Sequence, residues 1–134
     1  MPYANVVSVA MIAGDFALKL RFEDLIYDAS QVDVGDAQHT FSQQFIQLLK
    51  DKPDTQIKVC GVATPVDVGL GKDVKQENVD EETMNQLRAI AKNRAENFKS
   101  YVLENGEIAS SRLLVCTPQL EFDKDAKPRI KLSI

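Results

Sequence analysis

The chain has 134 residues, 44% of them hydrophobic and 27% charged, with a net charge of −4. That length fits one domain, and the balance is that of a folded chain, which at this size buries roughly two-thirds of the surface it exposes when unfolded. The 16 Lys and Arg are scattered among 20 Asp and Glu and the isoelectric point is about 5.0, so the basic stripe of a nucleic-acid binder is missing and nucleic acid is excluded as a partner.

The first apolar run, residues 6–13, is too short to cross a bilayer and lacks the basic flank of a secretory signal. No transmembrane segment is therefore expected. Met1-Pro2 leads straight into this run, which reads as a piece of a longer secreted chain; a cytoplasmic chain is the other reading. Tyr3, Val6, Val7, Ala10 and Met11 fall at helical spacing, so residues 2–13 are expected as a helix starting at Pro2 and ending at Gly14-Asp15. Leu18, Leu20 and Phe22 then alternate with Lys19, Arg21 and Glu23, a strand period. Leu25-Ile26-Tyr27 continues that strand or begins another.

Residues 33–36 read as a loop, with Asp36 as the cap of a helix carrying Phe41, Phe45, Leu48 and Leu49 on one face and stopping before Pro53. Residues 56–63 alternate as a second strand. Residues 64–79, with Pro65, Gly69, Gly71, Asp73 and Asn78, read as a long, exposed and mobile loop. Asp80 should cap a long helix over 81–104, acidic in its first turn, with Asn105-Gly106 as its stop. Residues 112–122 are expected as a third strand, 123–128 as a polar turn and 129–134 as a half-buried strand. The last two should form an antiparallel hairpin. Strands alternating with helices imply an α/β (α+β) sandwich: a mixed sheet with helices packed on it.

The two cysteines, Cys60 and Cys116, are 56 residues apart and make no metal motif. They are either two buried small hydrophobes on strands or a disulfide, which requires an oxidising compartment.

On a helical wheel Met84, Leu87, Ile90, Ala91, Ala95, Phe98, Tyr101 and Val102 cover one arc of the long helix. Arg94 falls inside that arc. A guanidinium in a buried stripe must be paired or must reach water. It is either a structural arginine, bonded to a carboxylate or to strand carbonyls, or an anion-binding arginine facing a ligand carboxylate.

Arg94-Ala95, followed by Phe98, Tyr101-Val102-Leu103 and Gly106, resembles the helix signature of OmpA-like domains. Ile26-Tyr27-Asp28-Ala29-Ser30 is similar to the first strand of that family. Lys52-Pro53-Asp54 with Ile57-Lys58-Val59-Cys60-Gly61-Val62-Ala63 is similar to its second strand and the approach to it. The resemblance is closer still to the C-terminal region of large AsmA-like envelope proteins of Gram-negative bacteria, and it covers residues 18–134. It implies an OmpA-like β-α-β-α-β-β sandwich over 18–134, with residues 1–17 as an extra N-terminal helical segment. It further implies a periplasmic location within a larger envelope-anchored protein, a cell-wall or envelope-protein partner, and no catalysis or cofactor. OmpA-like domains are implied to bind peptidoglycan, an aspartate and the helix arginine gripping the amine and carboxylate of diaminopimelate. The arginine matches Arg94. The aspartate position falls on Thr64, which carries no charge, and Asp67 three residues later is the substitute. The ligand-binding candidates are thus Arg94, Thr64 and Asp67, and the docking anchor is Arg94 with the loop over 64–78. The expected function is a non-catalytic interaction domain with an incomplete diaminopimelate site; the alternative is a peptidoglycan-binding module using Arg94.

Other constellations are weaker. His39 is the only histidine and is expected to be a solvated helix residue. Gly69-Leu70-Gly71-Lys72 lacks the glycine and the hydroxyl residue that a phosphate loop needs at Val66 and Asp73. Asp123 and Asp125 lack enough oxygen ligands for a calcium loop.

Overall fold

The computed structural model describes residues 6–11 and 18–134. Strands β1 (Val7–Met11) and β2 (Leu18–Phe22) form an antiparallel pair, Val7 opposite Phe22 and Met11 opposite Leu18. The helix expected over 2–13 is therefore corrected: its described part is a strand. The helical spacing of its apolar residues is real, but β-branched Val7 and Val9 suit a strand, and β2 offers a complete ladder to pair with. The rest of that segment and the expected stop at Gly14-Asp15 lie outside the described residues.

The main sheet is built from β3 (Leu25–Ile26), β4 (Ile57–Ala63), β5 (Leu113–Val115), β6 (Gln119–Leu120) and β7 (Arg129–Ser133), in the order β3-β7-β4-β5 with β6 beside the far end of β4. β7 runs antiparallel to β3 and β4, while β5 and β6 run parallel to β4. The sheet is mixed, as expected, but the last two strands do not form a hairpin. β4 lies between them, with Val62 paired to Gln119 on one side and to Arg129 on the other. The reason is in β4 itself. Every residue of it except Lys58 is buried, and so apolar a strand needs a neighbour on each edge.

The third strand is also broken. Ile57 pairs with Leu113 but Val62 pairs with Gln119, so five steps along β4 match six along its partner. The extra residue is a bulge at Cys116-Thr117-Pro118, where Pro118 has no N–H to give the ladder.

Helix α1 (Asp36–Asp51) and helix α2 (Glu81–Gly106) share one core with the sheet. Ile57 and Val59 on β4 and Ile130 and Leu132 on β7 point into it, alternating with residues on the outer face. Phe45 lies at its centre, with ring centroids 5.5 Å from Phe98 and 5.8 Å from Phe22.

The helix ends differ in detail from the sequence reading. Gly35, not Asp36, caps α1, and its N–H donates to the buried Gln38 side chain. At the other end Arg112 donates to the carbonyls of Leu49, Lys52 and Thr55, satisfying acceptors that a helix terminus leaves free. Asp80 caps α2 by accepting from the Thr83 N–H at 2.8 Å, and this hydrogen bond holds its carboxyl below the ordinary range. α2 runs to Gly106, two residues past the expected end, and Glu107 makes the left-handed cap (φ 53°). Gly106 serves the packing instead. A Cβ there would stand 2.7 Å from Cγ2 of Ile46, so the glycine lets the two helices approach.

Candidate functional site

α2 lies so close across β4 that a Cβ on Gly61 would overlap the Ala91 carbonyl. This approach brings Arg94, one turn along the helix, over the end of β4. Its side chain is fully buried, and all of its hydrogen-bonding nitrogens are engaged. Nε and NH2 donate to the Gln31 carbonyl at 2.8 and 2.6 Å. NH1 donates to the Val62 carbonyl at 2.8 Å and to Asp67 Oδ2 at 3.3 Å, and NH2 donates to Asp67 Oδ1 at 2.9 Å. The carboxylate is gripped by both terminal nitrogens, the geometry that makes an arginine–carboxylate pair strong.

Asp67 is held as closely. It sits on a short 3-10 turn, Pro65–Val68, that folds back over the sheet end, and its side chain is fully buried. Its Oδ1 also accepts the Ser30 N–H at 2.7 Å, and its Oδ2 accepts the Thr64 N–H at 3.0 Å. The Ser30 hydroxyl donates to the Asp67 carbonyl at 2.7 Å. To present both groups Ser30 takes a left-handed backbone (φ 68°), a cost that a non-glycine residue bears only where its surroundings fix it. The expectation of an exposed, mobile loop over 64–79 is corrected for its first part. Pro65 and Asp67 are buried because the carboxylate must reach Arg94.

The ring of Tyr27 forms one wall, its centroid 5.2 Å from Arg94 Cζ. Burial pushes the Tyr27 phenol well above its ordinary pKa, with the Arg94 charge opposing that shift in part. The Tyr27 and Thr64 hydroxyls are the two buried side-chain groups among the described residues with no hydrogen-bond partner. Asn97, almost one turn beyond Arg94, donates to the Val32 carbonyl and to Asp33, fixing the segment that supplies the Gln31 carbonyl.

The three expected ligand residues thus meet at one place. Thr64 contributes its backbone N–H rather than its side chain, and Asp67 brings a carboxylate that pairs with Arg94. The charges face each other rather than an open cleft. Sequence reading missed Ser30 and Gln31, which reach the arginine site from a turn distant in the chain, Gln31 lying 63 residues from Arg94; the one available signal was a Ser and a Gln just after a strand end.

The remaining candidates lie elsewhere. Cys60 on β4 and Cys116 just beyond β5 stand opposite each other with Cα atoms 5.1 Å apart, inside the range a disulfide spans. His39 is exposed on α1, with Nδ1 3.2 Å from the Tyr101 hydroxyl on α2. Asp123 and Asp125 line an open depression of about 400 Å³ with Asp24, Glu121 and Arg129. Among the described residues no group of three or more His, Cys, Asp or Glu is placed to hold a metal ion, and no helix is long and apolar enough to cross a membrane.

No protein-family model matches the sequence, and no curated protein does. Solved structures do match in shape. The OmpA-like domain of FopA1 from Francisella tularensis superposes with a TM-score of 0.65 at 10% identity, over 99% of this chain and 82% of that one. The fold is OmpA-like. The cell wall anchor of the type VI secretion system (T6SS) from Pseudomonas aeruginosa shares it, with a TM-score of 0.55 at 11% identity over 96% of this chain and 87% of that one. So does the peptidoglycan-associated lipoprotein from Burkholderia pseudomallei, at 0.52 and 15% over 81% and 86%. At such identities the likeness is one of fold. In this OmpA-like fold the arginine of α2 is closed off by the chain's own aspartate.

Proposed function

We propose that the chain is a non-catalytic interaction domain of a bacterial cell-envelope protein. It would lie in the periplasm as the OmpA-like end of a larger AsmA-like protein and dock on an envelope-protein or cell-wall partner. The observation that carries the reading is the closed Arg94–Asp67 pair, with both side chains fully buried. Diaminopimelate carries an ammonium and a carboxylate, so a receptor needs one negative and one positive group turned towards the ligand. Here the two are turned towards each other, and a ligand would have to break a buried, fully hydrogen-bonded pair to enter. The non-catalytic part has separate support. His39 is exposed and bonded to Tyr101, and the fold's solved examples include an anchor and a peptidoglycan-associated lipoprotein.

Those same examples favour the second reading, a peptidoglycan-binding module in which Asp67 and Arg94 open to receive the ligand. Sedimentation with purified sacculi separates the two, using free meso-diaminopimelate as competitor so that no variant has to fold. The expected result is that diaminopimelate releases no bound protein. Retention that the free amino acid abolishes would overturn the first reading in favour of the second.

A further inference from the structure

The outer edge of the main sheet is weakly laddered. β5 and β6 pair with β4 over three residues and two residues, with the bulge at Cys116-Thr117-Pro118 between them. No further strand covers this edge among the described residues. Both ends of the segment are fixed. At the start, Arg112 is bonded to three carbonyls around the end of α1, and Leu113 is fully buried beside it. At the finish, Glu121 is held by Arg129 at 2.8 Å and Lys131 at 3.0 Å. Between them Val115 and Leu120 pack partly buried side chains against the core, but few ladder bonds hold the backbone. The Cys116 N–H donates to the Val59 carbonyl, and Leu114 is 44% exposed.

Cys60 stands opposite Cys116 at the point where the ladder loses register. Ile57 and Val59 point into the core, so Cys60 points to the face away from the helices. Cys116 is partly exposed. Cys60 is buried, so a thiol reagent meets the pair at Cys116, without opening the core.

We infer that Cys60 and Cys116 form a disulfide that works as a redox-sensitive clasp on this edge, replacing the ladder bonds lost at the bulge. A dithiol reductant opens it in two balanced steps. One reagent thiolate attacks a cysteine sulfur, breaking the S–S bond, forming a mixed disulfide and freeing the other cysteine as a thiolate, which takes up a proton. The second reagent thiol then displaces the remaining cysteine. Two electrons pass to the protein, which gains two thiols, and the reagent leaves as a cyclic disulfide. The consequence is local: residues 114–120 fray while the Arg94 site, on the other face of β4 and tied to α2, stays closed.

Hydrogen exchange read by mass spectrometry tests this on the full chain, oxidised and after dithiothreitol, with the Cys60→Ser, Cys116→Ser double variant as a second arm. Exchange over 114–120 should rise about tenfold or more in the reduced chain and the variant, with α2 around Arg94 unchanged and protection regained on reoxidation. Equal exchange over 114–120 in both redox states would overturn the clasp. So would a uniform rise over the whole chain, which marks a global staple, or two free thiols titrated in protein recovered from an oxidising compartment. The reduced wild-type chain keeps the test decisive even where the double variant fails to fold.

Discussion

Arg94 and Arg129 bind carboxylates at nearly the same distance, 2.9 Å to Asp67 and 2.8 Å to Glu121, in opposite surroundings. The first pair is fully buried. The second lies at the rim of the sheet, where Arg129 also reaches Asp24 at 3.0 Å and Glu121 also holds Lys131; the side chains of Glu121 and Asp24 are 23% and 44% exposed. Arg129 itself is largely buried, but its carboxylate partners meet solvent, so water and salt can compete for them. Nothing can replace a member of the buried pair except protein atoms already committed to it. Two contacts alike in distance are therefore different objects: the buried one grips its carboxylate with both terminal nitrogens and supports the fold, while the other reaches Glu121 through NH2 alone at the sheet rim.

Removing Arg94 tests the difference most severely. Arg94→Ala leaves the Asp67 carboxylate and the Gln31 and Val62 carbonyls facing a hole. It should cost about 3–5 kcal/mol by urea denaturation, a large share of the stability of a domain of this kind. Replacing both charges together, with Arg94→Met and Asp67→Leu, should recover part of that loss: no uncompensated charge then remains buried, but the Ser30 and Thr64 N–H groups and the Gln31 and Val62 carbonyls lose these partners. A single Arg94→Ala costing under about 1 kcal/mol would mean that the guanidinium is not confined as described, and the contrast with Arg129 would fail.

Gly61→Ala attacks the same site from below. The added methyl meets the Ala91 backbone, which cannot rotate away as a side chain can, so α2 must lift and draw Arg94 from the Val62 carbonyl. The expected loss is about 1–3 kcal/mol, in the range for overpacked cores. The urea midpoint suffices as a readout, and an unchanged midpoint would show that the close approach is not needed.

The contrast between the two arginines also bears on what a sequence can reveal. Arg94 was legible as an anomaly because a helical face repeats, and one charge among Leu87, Ala91 and Phe98 breaks the repeat. Both helices follow from the same local periodicity, and the Asp80 cap from the residue type at a helix start. What closes the site was less legible. Asp67 reaches Arg94 through a short turn in a stretch whose composition reads as loop, and Gln31 and Ser30 arrive from a distant turn. Such contacts are set by how the chain crosses the end of the sheet, which periodicity does not encode. The placing of β7 between β3 and β4 was hidden for the same reason. By contrast, Pro118 was a local sign that residues 112–122 could not be one unbroken strand.

The rim network should respond to solution conditions as the buried pair does not. Burial raises the Glu121 pKa, but hydrogen bonds from Lys131 and Arg129 and their charges outweigh it, so the carboxyl sits below the ordinary range. A depressed folded-state value means that the stabilisation is present above the unfolded pKa of about 4.3 and is lost as pH falls through the folded value. Glu121→Gln should therefore weaken the protein slightly near neutral pH and converge with wild type under acid. Arg129→Ala should cost less than Arg94→Ala, by a margin that widens as salt is added. The Arg94→Ala deficit should not move with salt. A rim effect as large and as salt-resistant as the buried one would erase the distinction between the two pairs.

The smallest change expected is at the wall of the buried site. Tyr27 packs its ring beside Arg94, yet its hydroxyl has no partner and is buried. An unpaired buried hydroxyl is a cost, while the ring's contact with the guanidinium is a gain. Tyr27→Phe keeps the gain and removes the cost, so stability at neutral pH should rise by less than about 1 kcal/mol. The raised phenol pKa adds a signature in alkali. Its stabilising effect is complete below the unfolded value of about 10 and is lost as pH climbs from there towards the folded value. Wild type should thus lose stability above that pH faster than Tyr27→Phe does. Should Tyr27→Phe instead destabilise the domain at neutral pH, the hydroxyl is engaged in the folded protein, and the enclosure around Arg94 holds a polar contact beyond those of Asp67, Gln31 and Val62.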